Sequence, residues 1–536
     1  MRVLLIATVV GSAAWYVAAE LRLGPAGFPI DDGWIHAQFA RNLASGHGMA
    51  FNAGEASTGT TSPLWTWLLA VPMALGVSAI PAAKILGTSL AAFAAVMAFE
   101  VTRTISRSMT AGIVAGLAAA LSPRLIWGAV SGMEVPLYSA LVCATLLVFV
   151  RTQGRRGWDW GMLAGLATLA RPETGVLFPI LFAASFLRPR ALADPTDATV
   201  VVEVIGNRAR QEGRPLPLAV LVFGGIVGAG IVLNLYISGR PLPATFYAKA
   251  EGSGLIDAIA TFDGAAIWRT SVARPLDTLN QVVRYAAEQS LVLFLFALPG
   301  FLHLAGVMRR LRGEPAVRSA AIVVPAFFLV APLVMGAFAP VSPLLMQEGR
   351  YVAHLLIVFF VVSATGAAVL ARHSRYPSVV WAFAFLAIVR LASQDVAFAS
   401  RYALQVDNIN RMHVAVGRWV ESHTAPDAIV ATNDIGAVAF FSNRRILDLE
   451  GLTTPAVLPF KAERRQLDYV MNARPDLLIV FDEWYPQIAA RTDLFSEIFR
   501  VSVPRVTAAH DTLKVYRTPW TDALTGDDPV PASSVP

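Results

Sequence analysis

The sequence predicts a mainly α protein, a polytopic α-helical membrane bundle of about eleven spans with juxtamembrane helices on its outer face, followed by an extracytoplasmic α/β domain. Three observations predict it. Of 536 residues, 55% are apolar and 15% charged, with a mean hydropathy of +0.56, whereas soluble proteins are about 25% charged. Apolar runs of about 20 residues, enough to cross a hydrocarbon core of about 30 Å, recur as far as Val396. Beyond it the pattern becomes short apolar runs at 428–431, 446–449 and 477–481 between turns and charged helices, which is the pattern of a soluble α/β fold.

Charge and cysteine content exclude several classes. The 43 Lys and Arg against 37 Asp and Glu leave +6, an excess that membrane topology accounts for, so no nucleic-acid partner is expected. The single cysteine, Cys143, lies in the apolar run 141–150, which rules out an intrachain disulfide and a multi-cysteine metal site.

In chain order, the run 3–20 leads outward; 3–19 also fits a cleaved signal peptide, with the topology downstream unchanged. Spans are expected near 82–101, 111–130, 135–150, 158–170, 174–187, 217–238, 289–308, 319–339, 351–371 and 377–395. Four arginine-rich loops orient them by the positive-inside rule: Arg103 and Arg107; Arg151, Arg155 and Arg156; Arg309, Arg310 and Arg312; Arg372 and Arg375. The charged loop 188–214 lies on the same cytoplasmic side. With that parity the stretch 63–80 cannot cross and is expected to dip into or lie along the outer leaflet, with Trp65 and Trp67 at the interface. Trp158 and Trp160 read as a second interfacial pair. The chain thus divides into a membrane unit, 1–396, whose first outer loop is 24–81, an outer α/β domain, 397–520, and a tail, 521–536, with the Pro, Ser, Asp and Gly content of a disordered segment.

The first outer loop is the most informative stretch: IDDGWIHAQFARNLASGHGMAFNAGEASTGTTSPLW over 30–65. Asp32 fits the N-cap of a short helix on which Ile35, Phe39 and Leu43 share a face that can lie on lipid, and Gly46 and Gly48 end it. Asp31 and Asp32 are then held at the membrane surface, where desolvation raises a carboxylate's basicity and prepares it to accept a proton from a hydroxyl. One acid suffices for a cap, so the pair leaves Asp31 without a structural task. His36, one turn on, could orient the Asp32 carboxylate or share a metal with it. A third ligand is missing, so no metal site is predicted, no cofactor is expected to be required, and divalent-metal dependence stays open.

Further polar residues gather on the same outer side: Glu134 in SGMEVPLY, Arg171 and Glu173 in LARPETGVLF, Tyr247 and Lys249 in TFYAK, and Arg350 and Tyr351 in QEGRYVAHL. Charge is costly inside a bilayer, about 2.5 to 3.5 kcal/mol at its centre, so such residues ask for partners or a function. Lys249 and Arg350 could neutralise a phosphate, Arg by bidentate hydrogen bonds and Lys as a point charge, or snorkel to the interface. The tyrosines read as interfacial anchors, and Arg171 with Glu173 also as an ion pair at a helix-to-helix turn.

This inventory suits transfer of a sugar from a lipid phosphate. The phosphate leaves as a stable anion and needs cations, while the acceptor hydroxyl needs a base, which contributes about 10² to 10⁴-fold. A glycosidase would instead need two carboxyl groups flanking the bond.

The acid pair with Gly33-Trp34-Ile35, Phe39-Ala40-Arg41-Asn42-Leu43, Gly46, Gly48, Phe51-Asn52, Gly54-Glu55, Gly59, Thr61 and Leu64-Trp65 resembles the first outer loop of the GT-C superfamily. These are polytopic glycosyltransferases using polyprenyl-phosphate sugars, among them the mycobacterial terminal arabinofuranosyltransferase and, more distantly, bacterial protein mannosyltransferases and lipid A aminoarabinosyltransferases. SGMEVPLY, LARPETGVLF, GRPLPATFYAK, GRYVAHL and NDIGAVAFFSNRRILDLEGL resemble further blocks. The chain departs from the pattern at Gly33-Trp34, where Ala-Tyr is common, and at Gln38 and Ala53, where Arg and Pro are common.

The resemblance implies a catalytic aspartate at Asp31 or Asp32 and a donor-phosphate site at Arg171, Lys249 and Arg350, with Tyr247, Tyr351, Glu134, Glu173 and His36 as further substrate-side residues. The implied activity is transfer of a sugar, arabinofuranose among the candidates, from a polyprenyl-phosphate donor to a glycan, lipid or protein acceptor. The implied setting is the outer face of a bacterial cytoplasmic membrane, with the outer domain helping to bind the acceptor. A transporter or lipid flippase is the alternative that the many spans permit, and a non-catalytic envelope scaffold is a third; charges gathered at one boundary rather than at the midplane argue against a transporter.

Overall fold

A computed structural model describes residues 1–186, 215–250, 254–310, 315–338 and 346–521. The charged loop 188–214, Arg312 and the tail from 522 lie outside the described residues.

The protein is a multi-pass membrane bundle carrying a small α/β domain. The expected spans fall on helical segments, but among the described residues fewer than the expected eleven are of crossing length: Gly157–Ala170 has 14 residues, and 174–187 is a 3₁₀ turn followed by the 10-residue Leu177–Phe186. Among the described residues seven helices are long and apolar enough to cross a membrane: Arg2–Leu23, Ala79–Ser106, Val135–Thr152, Leu216–Ser238, Val317–Phe338, Met346–His373 and the long Pro377–His423. An eighth crossing is made if Met109–Ala120 and Pro123–Val130, bent by 52° at their junction, count as one. The bend falls at Ser122, which is extended (φ −73°, ψ 116°) because Pro123 follows it. The same rule breaks the chain at Arg171, extended at φ −160° and ψ 119° before Pro172, between Gly157–Ala170 and the short 3₁₀ turn Pro172–Val176.

The helix Pro63–Ala74 has 12 residues, about 18 Å of length, too short to cross. Trp65 on it is fully buried and donates its indole N–H to the Gly132 carbonyl at 2.9 Å, so it is a core residue and not the interfacial anchor expected. Trp160 is likewise fully buried, its indole bonded to Gly154, while Trp67 and Trp158 remain exposed. An indole whose N–H finds a carbonyl gains its large apolar burial without an unmet donor, which favours the core over the interface.

At the centre, Met346–His373 is nearly enclosed. It approaches Leu291–Arg310 so closely that a Cβ at Gly366 would overlap the Phe296 carbonyl oxygen. At one end of the bundle Glu100 gathers Arg2, Arg103 and Arg151, and Arg372 bonds the Ser106 carbonyl, so three of the four arginine-rich loops share one face. Val135–Thr152, 18 residues and about 27 Å long, separates Arg151 from Glu134 at the opposite face.

The helix Pro377–Ile409 passes without a linker through the π-turn Asn410–Val414 into Ala415–His423, so the bundle hands over to the domain inside one helical rod. The domain sheet comprises β1 (Ile429–Thr432), β2 (Arg445–Asp448), β3 (Leu477–Val480), β4 (Ser496–Ser502) and β5 (Thr512–Arg517), in the order β2-β1-β3-β5-β4. The β1 pairings are parallel and those of β5 antiparallel. Edge strand β2 is covered by the first outer loop, because Asn52 exchanges two hydrogen bonds of 2.9 Å with the Ile446 backbone.

The short helix Asp32–Ala44 departs from expectation in two ways. Asp32 is its first helical residue, Asp31 precedes it, and neither side chain caps it. Its apolar face does not lie on lipid: Ile35 and Phe39, with Phe51, join Met412, Val416, Val430 and Val438 in the core of the α/β domain. Leu43 packs instead toward the bundle core. A period-four apolar stripe requires a partner surface, and here a protein surface rather than the bilayer supplies it.

Candidate active site

Between the membrane unit and the α/β domain, the residues singled out from the sequence converge. The Arg350 guanidinium donates to Asp32 Oδ2 at 3.0 Å, and the Gln347 side-chain amide donates to the same oxygen at 3.3 Å. Among the described residues Oδ1 accepts no hydrogen bond, and the Asp32 side chain is 29% exposed while Arg350 is 4% exposed. Arg350 also reaches the Tyr351 hydroxyl at 3.1 Å and Met133 Sδ at 3.5 Å, and Tyr138 donates its hydroxyl to the Arg350 carbonyl. Tyr351 is a hub and not an interfacial anchor: its ring is met by Arg171 at 4.6 Å, Arg350 at 5.0 Å and Lys249 at 5.7 Å.

Behind this layer, the fully buried Glu134 pairs with Arg171 and, at 3.1 Å, with His36 Nε2. Arg171 also reaches Glu173 at 3.3 Å, and His36 Nδ1 lies 3.3 Å from the Thr60 hydroxyl. His36 therefore braces Glu134 rather than bonding the Asp32 carboxylate. Tyr247 is not among the residues that meet around Asp32; its ring lies under Arg240 at 4.8 Å.

The two aspartates have different neighbours. Asp31 accepts the backbone N–H groups of Gly436 at 2.6 Å and Ala437 at 2.7 Å, at the start of the helix Gly436–Ser442 in the α/β domain. It thus has the structural task the sequence left unassigned. Burial pushes Asp31 up to about 6, a rise opposed by His413 and the two N–H groups and reinforced by Asp434. For Asp32 burial also works upward, but Arg350, then Lys249 and His36, hold its carboxyl below the usual range. Desolvation is outweighed by cations, which reverses the raised basicity expected for it. Glu134 is buried, yet Arg171 and His36 hold it well below the usual range, so it stays an anion and serves as a strut.

Sequence reasoning missed Gln347. It and Glu348 have left-handed backbones, φ 52° and 61°, followed by Gly349 at 71°, a costly geometry for non-glycine residues. Anchors hold the turn: Glu348 takes Arg124, Arg401 at 2.8 Å and Gln405 at 2.9 Å, and the Tyr285 hydroxyl bonds the Glu348 carbonyl. The turn aims Gln347 and Arg350 together at Asp32. A neutral amide in a loop carries no sequence signal for this. Among the described residues no group of three or more His, Cys, Asp or Glu is placed to hold a metal ion.

The fold is similar to that of two kinds of solved protein, an oligosaccharyltransferase and ArnT. An oligosaccharyltransferase of Archaeoglobus fulgidus, AglB, solved with an inhibitory peptide and a dolichol-phosphate, superposes with a TM-score of 0.57 at 13% identity, over 96% of this chain and 74% of that one. The same organism's oligosaccharyltransferase with zinc and sulfate gives 0.55 at 14% identity, over 92% and 72%. ArnT from Cupriavidus metallidurans bound to undecaprenyl phosphate gives 0.56 at 13% identity, over 96% and 97%. Residues 402–518 match a domain of unknown function, DUF8728. No curated protein matches the chain.

Proposed function

We propose that this protein is a glycosyltransferase that moves a sugar from a polyprenyl-phosphate donor to a glycan, lipid or protein acceptor of the cell envelope, at the outer face of a bacterial cytoplasmic membrane. The carrying observation is the pairing of Asp32 with Arg350, its second oxygen open, beside Lys249 and beneath the α/β domain. The solved relatives support the lipid-phosphate part of the reading, since two of them hold dolichol-phosphate or undecaprenyl phosphate.

In this reading Asp32 is the base. The acceptor hydroxyl oxygen attacks the anomeric carbon, its proton passes to Asp32 Oδ1, and the bond from that carbon to the phosphate oxygen breaks, leaving polyprenyl phosphate. Arg350 and Lys249 hold that phosphate, with Arg171 behind them. Donor binding also adjusts the base, because a phosphate on Arg350 and Lys249 offsets the positive charge that depresses Asp32 and so raises its basicity when it is needed. The cations perform the task of stabilising the leaving group, so we propose that no divalent metal is required. Arabinofuranose is the first donor sugar to try, on the first-loop resemblance.

The test is release of polyprenyl phosphate from a panel of polyprenyl-phosphate sugars, with envelope glycan extract as acceptor. Wild type should release it and Asp32→Asn should be slower by about 10² to 10⁴-fold while remaining folded. Full activity of Asp32→Asn would remove the base assignment.

A further inference from the structure

At the membrane face opposite Asp32, a groove of about 610 Å³ runs between Arg2–Leu23, Ala79–Ser106 and Val135–Thr152. That is within the roughly 300 to 1,000 Å³ of ordinary ligand sites. Its walls are mainly apolar, with Ile6, Val10, Phe93 and Met97 among them. Ile6, Val10 and Phe93 are 44%, 49% and 46% exposed, so the groove opens on the lipid-facing side of the bundle.

The charges at its mouth do not balance. One buried carboxylate, Glu100, is shared by Arg2 at 2.6 Å, Arg103 at 2.9 Å and Arg151 at 2.5 Å. Three guanidinium groups facing one carboxylate leave a positive excess. Their side chains are 62%, 43% and 45% exposed, and each carries five N–H donors, more than Glu100 can accept. Arg2 and Arg151 themselves line the groove.

We propose that this groove binds an anionic phospholipid of the leaflet opposite the candidate active site. Its acyl chains lie along Ile6, Phe93 and Met97, and its phosphate accepts hydrogen bonds from Arg2, Arg103 and Arg151. A free phosphate would satisfy the arginines and leave the apolar walls uncovered, and a zwitterionic lipid would cover the walls and bring no net charge. An anionic lipid answers both, as basic pockets between membrane helices do elsewhere. The site stands independently of the glycosyltransferase reading.

Native mass spectrometry of the full-length protein in detergent, offered equimolar phosphatidylglycerol and phosphatidylcholine, tests this. Wild type should retain phosphatidylglycerol preferentially. The double variant Arg2→Gln with Arg151→Gln should lower that preference about tenfold, the equivalent of one good phosphate contact. Ser89→Phe, at an exposed position lining the groove, fills it without touching a charge and should lower phosphatidylglycerol retention while the protein stays folded. Equal retention of the two lipids by wild type, or an unchanged preference in both variants, would overturn the proposal.

Discussion

Asp31 and Gly436 are 405 positions apart, yet the Asp31 carboxylate accepts the Gly436 backbone N–H at 2.6 Å. Ala437 adds a second such bond at 2.7 Å. The membrane unit thereby caps a helix of the α/β domain, and the contact is so close that a Cβ at Gly436 would overlap the Asp31 carbonyl oxygen.

Both sides of this contact should be sensitive. Asp31→Ala strands two N–H groups, each worth about 1 to 3 kcal/mol when buried and unmet, and Gly436→Ala forces the backbones apart. Each variant is expected to lower the unfolding temperature and to speed proteolysis of the α/β domain. Wild-type resistance in both would show that the docking rests on Ile35 and Phe39 alone.

The pH response of Asp32 follows from its depressed pKa. A carboxylate whose folded value lies below its unfolded value of about 3.9 contributes stability above that value and loses it only as pH falls through the lower, folded one. Asp32 therefore stays ionised from pH 8 to 5, and kcat/KM should lose nothing to this group over that window. Lys249→Met removes one depressing cation, so the acid limb of the profile is expected to move to higher pH, together with a raised KM for donor.

Gln347 can be separated from its strained backbone. Gln347→Gly accepts φ 52° without strain and removes only the amide that steadies Asp32, so it should fold as well as wild type and lose about tenfold in kcat. Gln347→Glu sets a second carboxylate against Asp32 and should raise the pKa of the base, moving the acid limb upward. Stopped activity with an unaltered pH profile would reduce Gln347 to a structural role.

Chelation provides a further check. On the proposal that Arg350 and Lys249 supply the positive charge a leaving phosphate needs, turnover measured in excess EDTA is expected to match turnover in magnesium. A loss restored by one divalent ion would assign that role to a metal.

Much of the fold was legible because its signals are local. Apolar runs of membrane length, arginine between them, Pro123 and Pro172 at the breaks and the switch to short strands after the last span are all properties of neighbouring residues. The candidate site was legible only as a set of residues that the structure brings near one another: Asp31, Asp32, Arg171, Lys249, Arg350, Glu134, Glu173 and His36 each stood out as charge where lipid was near. Tyr247 was chosen with them and does not join them, because a tyrosine near an interface looks alike in sequence whether or not it faces the crevice.

What tertiary structure alone decided is which surface each of these residues meets. Ile35 and Phe39 form an apolar stripe in any reading, but only the docked domain shows that the stripe faces protein rather than lipid. Two adjacent aspartates are chemically identical as letters. One turns to the N–H groups of a helix 405 residues away and the other to Arg350, and from this come their opposite pKa shifts. Burial and Coulomb interactions depend on distance in space, and spacing along the chain records that distance only within an element.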